Sequence, residues 1–529
     1  MSNRANRRRA GLLIPLFSCP STASWGIGDI GDVAPMTAWL AAAGQRMLQL
    51  LPLNEMVPGL RSPYSAISAM AIDPIFLCVP AVPDFAALGG EASLAAEDRA
   101  RLGRVRRAPR IEYADVRRLK QAALRAAFDR FLDAEWCRDT ARARALKGFL
   151  SEQAWWVEDY ALFRAIHARE GERPWTEWPD ALRRRDPPAI LEVRRELSRE
   201  VLFNQYLQWL ADRQWREARV SAGGVALFGD LPFMVDGDSA DVWARQHQFR
   251  LEASLGVPPD AFSAEGQDWG MPVYRWEVIA AEDFRWLRER ARRSADLYDG
   301  YRIDHLVGFY RTYGRPRDGG PAFFTPAAES EQTALGERVL AVLREQSAEI
   351  IAEDLGTVPD FVRASLARLG VPGFRVFRWE RDWHTAGQPF RDPSEYPAAS
   401  VATSGTHDTE PLVVWWERAS DEERQMVSRL PTIQRLTRAA GFEDLDAAPY
   451  EPTVRNMLVE ALFASGSDLL LLPIQDAFGW RDRINEPATL DDENWTFRLP
   501  WPCNRLDAVP EARERQSALR RWAAQYQRL

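Results

Sequence analysis

Eight short stretches of this chain are apolar on both of the faces that an extended backbone presents: residues 11–17, 46–53, 225–230, 301–304, 349–353, 373–379, 400–405 and 468–473. Most are four to seven residues long. Strands read this way when helices cover them on both sides, which is the pattern of a parallel sheet. Helical spacing separates several of them, over residues 32–43, 335–345, 359–369 and 419–429. Strand and helix alternating eight times predict an α/β fold, a (β/α)8 TIM barrel.

Two gaps interrupt the alternation. Residues from about 84 to 220 are dominated by Ala, Arg, Glu and Leu, with helical apolar spacing over 119–131, 152–168 and 192–215 and a break at Pro187-Pro188. They predict a helical insertion between the second and third strands, packed beside the barrel. Residues from about 234 to 278 are rich in Pro, Gly, Ser and aromatics and predict a loop-like insertion. Leaving the C-terminal end of the third strand, that segment would wall the site. The expected organisation is a single catalytic barrel domain over residues 1–529 that includes both insertions.

The polar residues that end three of the apolar runs change the picture. One run ends Arg302-Ile303-Asp304-His305, a second Ala352-Glu353-Asp354, a third Gly405-Thr406-His407-Asp408. Barrel enzymes place their sites on the face where strands end. Paired carboxylates there suit glycosidic chemistry, in which one group attacks or stabilises the anomeric carbon and another protonates the leaving oxygen. Asp304 suits the nucleophile. Arg302, two residues earlier, points to the same face and would favour its ionised form. Glu353 suits the acid/base, because the apolar run before it could desolvate it and raise its pKa. Asp408 would grip sugar hydroxyls, with His407 donating a hydrogen bond beside it. Taken alone, a strand-end Asp is more often a helix cap or an ion-pair partner, and Asp354 reads that way.

Composition narrows the class further. The 529 residues are 46% hydrophobic and 27% charged, an ordinary globular balance, and the net charge of −8 offers no basic face for nucleic acid. No apolar run is long enough for a membrane span, and the apolar stretch near the N-terminus is too short for a signal peptide, so a cytoplasmic protein is the expectation. The four cysteines lie far apart, without zinc or disulfide spacing, and the five histidines are scattered. His167, His247 and His384 have no evident partner. Twenty-one tryptophans are suggestive of sugar platforms, because pyranose rings stack on flat aromatic faces. Of these, Trp269 reads as a platform. Trp415-Trp416 read as helix core, and Trp155-Trp156 as packing between insertion and barrel.

Several motifs, in order along the chain, resemble the 4-α-glucanotransferases (amylomaltases) of glycoside hydrolase family 77. They are Trp25-Gly26-Ile27-Gly28-Asp29-Ile30-Gly31, Ser62-Pro63-Tyr64-Ser65, Gly229-Asp230-Leu231-Pro232-Phe233 and Asp238-Ser239-Ala240-Asp241-Val242-Trp243. Pro258-Pro259-Asp260, Gly266-Gln267-Asp268-Trp269-Gly270, the three carboxylate segments, Pro473-Ile474-Gln475-Asp476 and Arg483-Ile484-Asn485-Glu486-Pro487 continue the series. The resemblance implies a retaining transferase with Asp304 as nucleophile, Glu353 as acid/base and Asp408 as transition-state stabiliser. It implies that Arg302, His407 and Tyr64 line the donor-glucose subsite and that Asp230 orients Arg302. Ser62, Asp260, Gln267, Trp269 and Asn485 would contact the glucan further along. It implies no cofactor, no metal and no C-terminal β-sandwich. The implied partners are α-1,4-glucans, maltooligosaccharides and glucose, with no nucleic acid and no membrane.

The sequence departs from the family pattern in places. Ala261 stands where the family has an aromatic, residues 53–61 differ from the usual loop, and the segment from Phe377 to Arg381 moves an aromatic to Trp379. None of these touches the three carboxylates. The same residues also fit a hydrolytic α-glucanase, and the pattern leaves open a non-catalytic glucan-binding protein and a metal-dependent barrel enzyme.

Overall fold

The computed structural model describes residues 8–259, 266–442, 445–487, 489 and 491–529. Eight strands close into a barrel: β1 (Arg9–Leu13), β2 (Met47–Gln49), β3 (Ala226–Leu231), β4 (Gly300–Ile303), β5 (Glu349–Ala352), β6 (Gly373–Val376), β7 (Ser400–Thr403) and β8 (Leu469–Pro473). Each pairs in parallel with its neighbours in sequence, and β8 closes on β1. All eight apolar runs are therefore barrel strands. Their ends differ from the sequence reading by a few residues, because pairing stops where the chain turns toward the next helix.

Side-chain parity divides the apolar residues of the strands between two cores. Met47, Phe228, Ile351, Phe374, Val401, Leu469 and Leu471 fill the barrel interior. Their neighbours along the strands, among them Leu48, Leu227, Ile303, Ala352, Ala402 and Leu470, face the surrounding helices in the larger core. A strand alternates faces with every residue, so residues two positions beyond the interior set point inward at the barrel mouth. This rule places Asp230 above Phe228 and Glu353 above Ile351.

The long gap between β2 and β3 is helical, as its spacing predicts. Its longest helices are Tyr113–Ala134, Ala154–Arg169 and Ser198–Ser221. Pro187 and Pro188 start the helix Pro187–Glu196 rather than merely ending one, since proline is tolerated in a first turn whose N–H groups have no intrahelical partner. The predicted helix over 192–215 is thus two helices, divided at Leu197. Trp155 and Trp156 carry Arg292 and Arg293 of the barrel helix Arg285–Leu297 at 5.0 Å from their rings, which joins insertion to barrel. His167 also finds partners: it is fully buried between Asp238 at 2.9 Å and Glu172 at 2.6 Å.

The described part of the segment over 234–278 is more ordered than a loop. Ala253–Val257 pairs with Thr312–Pro316, and with Phe323–Thr325 and Gln267–Asp268 they make a four-stranded antiparallel sheet. Its partner strand comes from beyond β4, so no local pattern reveals the pairing. Among the described residues no strand follows β8; the chain goes on to a helix over Pro510–Gln525. No described helix is long and apolar enough to cross a membrane.

Candidate active site

Strand register assembles the polar cluster. Asp230 of β3 lies directly opposite Arg302 of β4, and Ile303 lies opposite Ala352 of β5. Asp304 and Glu353 each follow the last paired residue of their strands, so they emerge side by side at the mouth. Arg302 is 5% exposed and ties the group together. Its guanidinium reaches Asp230 at 2.7 Å, Asp304 at 2.8 Å and Glu353 at 3.9 Å. Burial opposes its charge, but Asp230 and Asp304 outweigh burial and hold Arg302 well above the usual arginine value. The Tyr64 hydroxyl donates to the same Asp230 oxygen at 2.9 Å. Gly229 beside Asp230 has no room for a side chain, because a Cβ there would lie 2.2 Å from the Tyr298 ring.

Glu353 sits in a different setting. Its carboxyl accepts from the His305 N–H at 2.8 Å and the Leu355 N–H at 3.0 Å. His305 has a left-handed backbone, φ 42°, which costs on the order of 1 kcal/mol in a non-glycine residue. Burial pushes the Glu353 carboxyl up to about 7; Arg302 opposes this, and the Asp304 charge adds to it. The neighbouring Asp354 is the structural residue expected of it, accepting from the Phe374 N–H at 2.7 Å and pairing with Arg375 at 3.3 Å.

Asp408 reaches the site from the loop after β7. The Asn485 amide donates to its carboxylate at 2.7 Å, and His407 Nε2 lies 3.3 Å from it. Burial holds His407 below the ordinary histidine value, so its ring is neutral near pH 7. The ring lies flat against Tyr64, with centroids 5.2 Å apart. The cluster thus offers two carboxylates side by side, one ion-paired and one burdened by burial, with a third on the facing loop. That is the equipment for breaking and remaking a glycosidic bond.

The comparisons with known proteins agree. The family-wide sequence profile described as 4-alpha-glucanotransferase, glycoside hydrolase family 77, matches residues 14–504. The chain belongs to this 4-α-glucanotransferase family. The 4-alpha-glucanotransferase of Thermus thermophilus is 33% identical over 96% of this chain and 99% of that relative. That of Chlamydia pneumoniae is 32% identical over 92% of this chain and 91% of its own. Among solved structures, the amylomaltase from Streptococcus agalactiae in complex with acarbose superimposes with a TM-score of 0.81 at 27% identity, over 98% of this chain and 99% of that one.

The structure distributes the remaining expected residues of this glucanotransferase fold as follows. Trp269 is half-buried on the antiparallel wall, its ring edge-on to His305 at 4.8 Å and its indole N–H donating to Gln267 at 3.1 Å. Ser62 Oγ accepts from the Tyr64 N–H at 3.3 Å, a turn that presents the tyrosine. Asn485 turns its amide onto Asp408. Asp260 lies outside the described residues, as does Ala261. Two site residues went unread. Trp495 packs behind both Tyr64 and His407, with ring centroids 5.9 Å away in each case. One of many tryptophans and in no motif, it carried no distinguishing signal. Arg483 stood in a quoted motif, but only the fold shows its guanidinium donating to the backbone oxygens of Asp408 at 2.6 Å and Asn485 at 2.7 Å.

Proposed function

We propose that this chain is a retaining, cytoplasmic 4-α-glucanotransferase whose barrel and two insertions work as one catalytic unit. Donor α-1,4-glucan lies across the barrel mouth, and Glu353 protonates the bridging oxygen. Asp304 attacks the anomeric carbon, and the glycosyl group is held as an ester with inverted configuration. The 4-hydroxyl of an acceptor glucan, maltooligosaccharide or glucose then enters. Glu353 removes its proton, and the second inversion restores the α-linkage. Asp408 and His407 hold hydroxyls of the donor ring, with Tyr64 and Arg302 lining the same subsite and Asp230 aiming Arg302. Ser62, Asp260, Gln267, Trp269 and Asn485 serve the chain further along. No cofactor takes part in these steps.

The observation that carries this reading is the contrast between two neighbouring carboxyls. Asp304 is ion-paired to Arg302 at 2.8 Å, while burial raises Glu353 to about 7. The buried, raised carboxyl suits the acid, and the carboxylate paired with Arg302 stands beside it where a nucleophile is needed. The test is pure protein with maltotriose alone, products separated by chain length. A ladder of longer maltooligosaccharides together with glucose is expected. Glucose and maltose alone, with rising reducing ends, would mean hydrolysis.

Two further outcomes follow. The donor step needs Glu353 protonated, and a carboxyl raised to about 7 stays protonated below that pH and ionises above it. Single-turnover donor cleavage should therefore fall as pH rises past about 7. Glu353→Gln should abolish that limb with the activity; a limb still near pH 4.5 in the native protein would contradict the assignment. Arg483→Met should lower kcat by about 10-fold, the worth of roughly one charge-assisted hydrogen bond, with KM nearly unchanged. Arg483→Lys should recover part of it. A rise in KM alone would assign Arg483 to binding instead.

A further inference from the structure

Tryptophan is costly to leave in water, and this protein hides nearly all of it. Of the 21 tryptophans, only Trp379, at 38%, and Trp383, at 55%, stand exposed. Every tryptophan lies within the described residues. Both exposed rings belong to one segment, the connection that leaves the C-terminal end of β6. That strand lies between β5, which leads to Glu353, and β7, which leads to Asp408. The segment therefore rises from the catalytic rim.

The exposure is built, not left over from a loose chain. Arg381 and Phe390 face each other as an antiparallel bridge. The Asp382 N–H donates to the Pro389 oxygen, and the Arg391 N–H to the Glu380 oxygen, each at 2.9 Å. Phe390 is buried against Phe377 and Trp415, and the Arg381 guanidinium covers it at 4.0 Å while pairing with Glu423. At the tip, Asp382 holds the Thr385 hydroxyl at 2.6 Å, and Gly387 supplies the positive φ that turns the chain back. The base of this hairpin is locked into the core, and the tip presents Trp383. No ring packs on either tryptophan: neither takes part in any of the aromatic pairs among the described residues.

We propose that Trp383, with Trp379 nearer β6 along the same segment, is a stacking platform for an α-1,4-glucan chain that extends beyond the cleft. A pyranose ring offers an apolar face of C–H groups, which covers an indole without desolvating a polar atom. Carboxylates and hydroxyls at the hairpin tip, such as Asp382 and Thr385, suit the ring's edge. The occupant is a glucan because the hairpin opens onto the face where the glucan-processing carboxylates stand. The inference rests on the proposed transferase reading and deepens it, for it makes the β6 hairpin a determinant of chain-length preference. Short sugars held by the mouth alone do not reach the tip; long ones do.

The test compares native protein, Trp383→Ala and Trp383→Tyr on maltotriose and on amylose. Trp383→Ala is expected to lower kcat/KM for amylose by about 10-fold, to leave maltotriose disproportionation within about 2-fold, and to melt at the native temperature; Trp383→Tyr should retain most of the amylose activity. Unchanged amylose kinetics would overturn the platform, as would equal losses on both substrates. Size-exclusion chromatography guards the remaining case, because a native dimer split by Trp383→Ala would mean that a second copy, not a glucan, covers the ring. Native protein inactive on maltotriose would instead overturn the transferase reading itself.

Discussion

Asp304→Asn is expected to lower glucan transfer by at least about 10⁴-fold, some 5 kcal/mol of barrel-mouth chemistry, while the protein remains folded. An amide cannot form the glycosyl ester, and it cannot supply the charge that balances the developing oxocarbenium ion. The fold survives for a reason visible in the ion pairs. Arg302 keeps Asp230 at 2.7 Å, so its buried guanidinium is not left unpaired. The amide also has nearly the volume of the carboxylate. The expected cost is one charge-assisted hydrogen bond at a partly exposed group, about 1–2 kcal/mol. Transfer rate and thermal melting should be measured on the same preparation. Robust transfer by the folded variant, free of native contaminant, would sink the nucleophile assignment. So would a collapse of the fold that Asp304→Glu fully reversed while activity did not change.

Glu353→Ala should be almost as damaging with maltotriose, about 10³-fold, in the range that a positioned acid contributes. It should differ from Asp304→Asn in what rescues it. A donor such as α-maltosyl fluoride leaves as fluoride and needs no proton, so the first step should recover to within about 10-fold of the native rate. The ester then waits for an acceptor that needs no base, and added azide should capture it as an α-azide with retained configuration. A fluoride donor as impaired as maltotriose would show that Glu353 acts through binding or folding instead. Neither fluoride nor azide should rescue Asp304→Asn in this way, because that variant lacks the group that forms the ester.

Eight strands were legible because a strand covered on both faces must be apolar on both faces, and their short lengths and alternation with helical spacing favoured strands over buried helices. Asp304, Glu353 and Asp408 were legible because each interrupts or ends such a run with a charge. The helical insertion was legible from its spacing, although Leu197 divides one predicted helix in two. Around the third strand's exit, composition predicts a loop where the described residues form strands. The strand Ala253–Val257 is completed by Thr312–Pro316, and local periodicity carries no information about a partner so distant. The pairing of His167 with Asp238 was hidden for the same reason, because Asp238 lies 71 positions away in the chain.

The order of apolar and polar residues thus determined the barrel, its two insertions and the strand ends that carry the carboxylates, because these depend on local periodicity and on which positions tolerate charge. Tertiary structure alone decided how those ends meet. In-register pairing set Asp230 against Arg302 and Asp304 beside Glu353, and the loop after β8 carried Asn485 and Arg483 onto Asp408. Which carboxyl is ion-paired and which is raised also belongs to the fold. Burial raises Glu353 and Arg302 pairs with Asp304, and burial and distance are properties of space rather than of position along the chain.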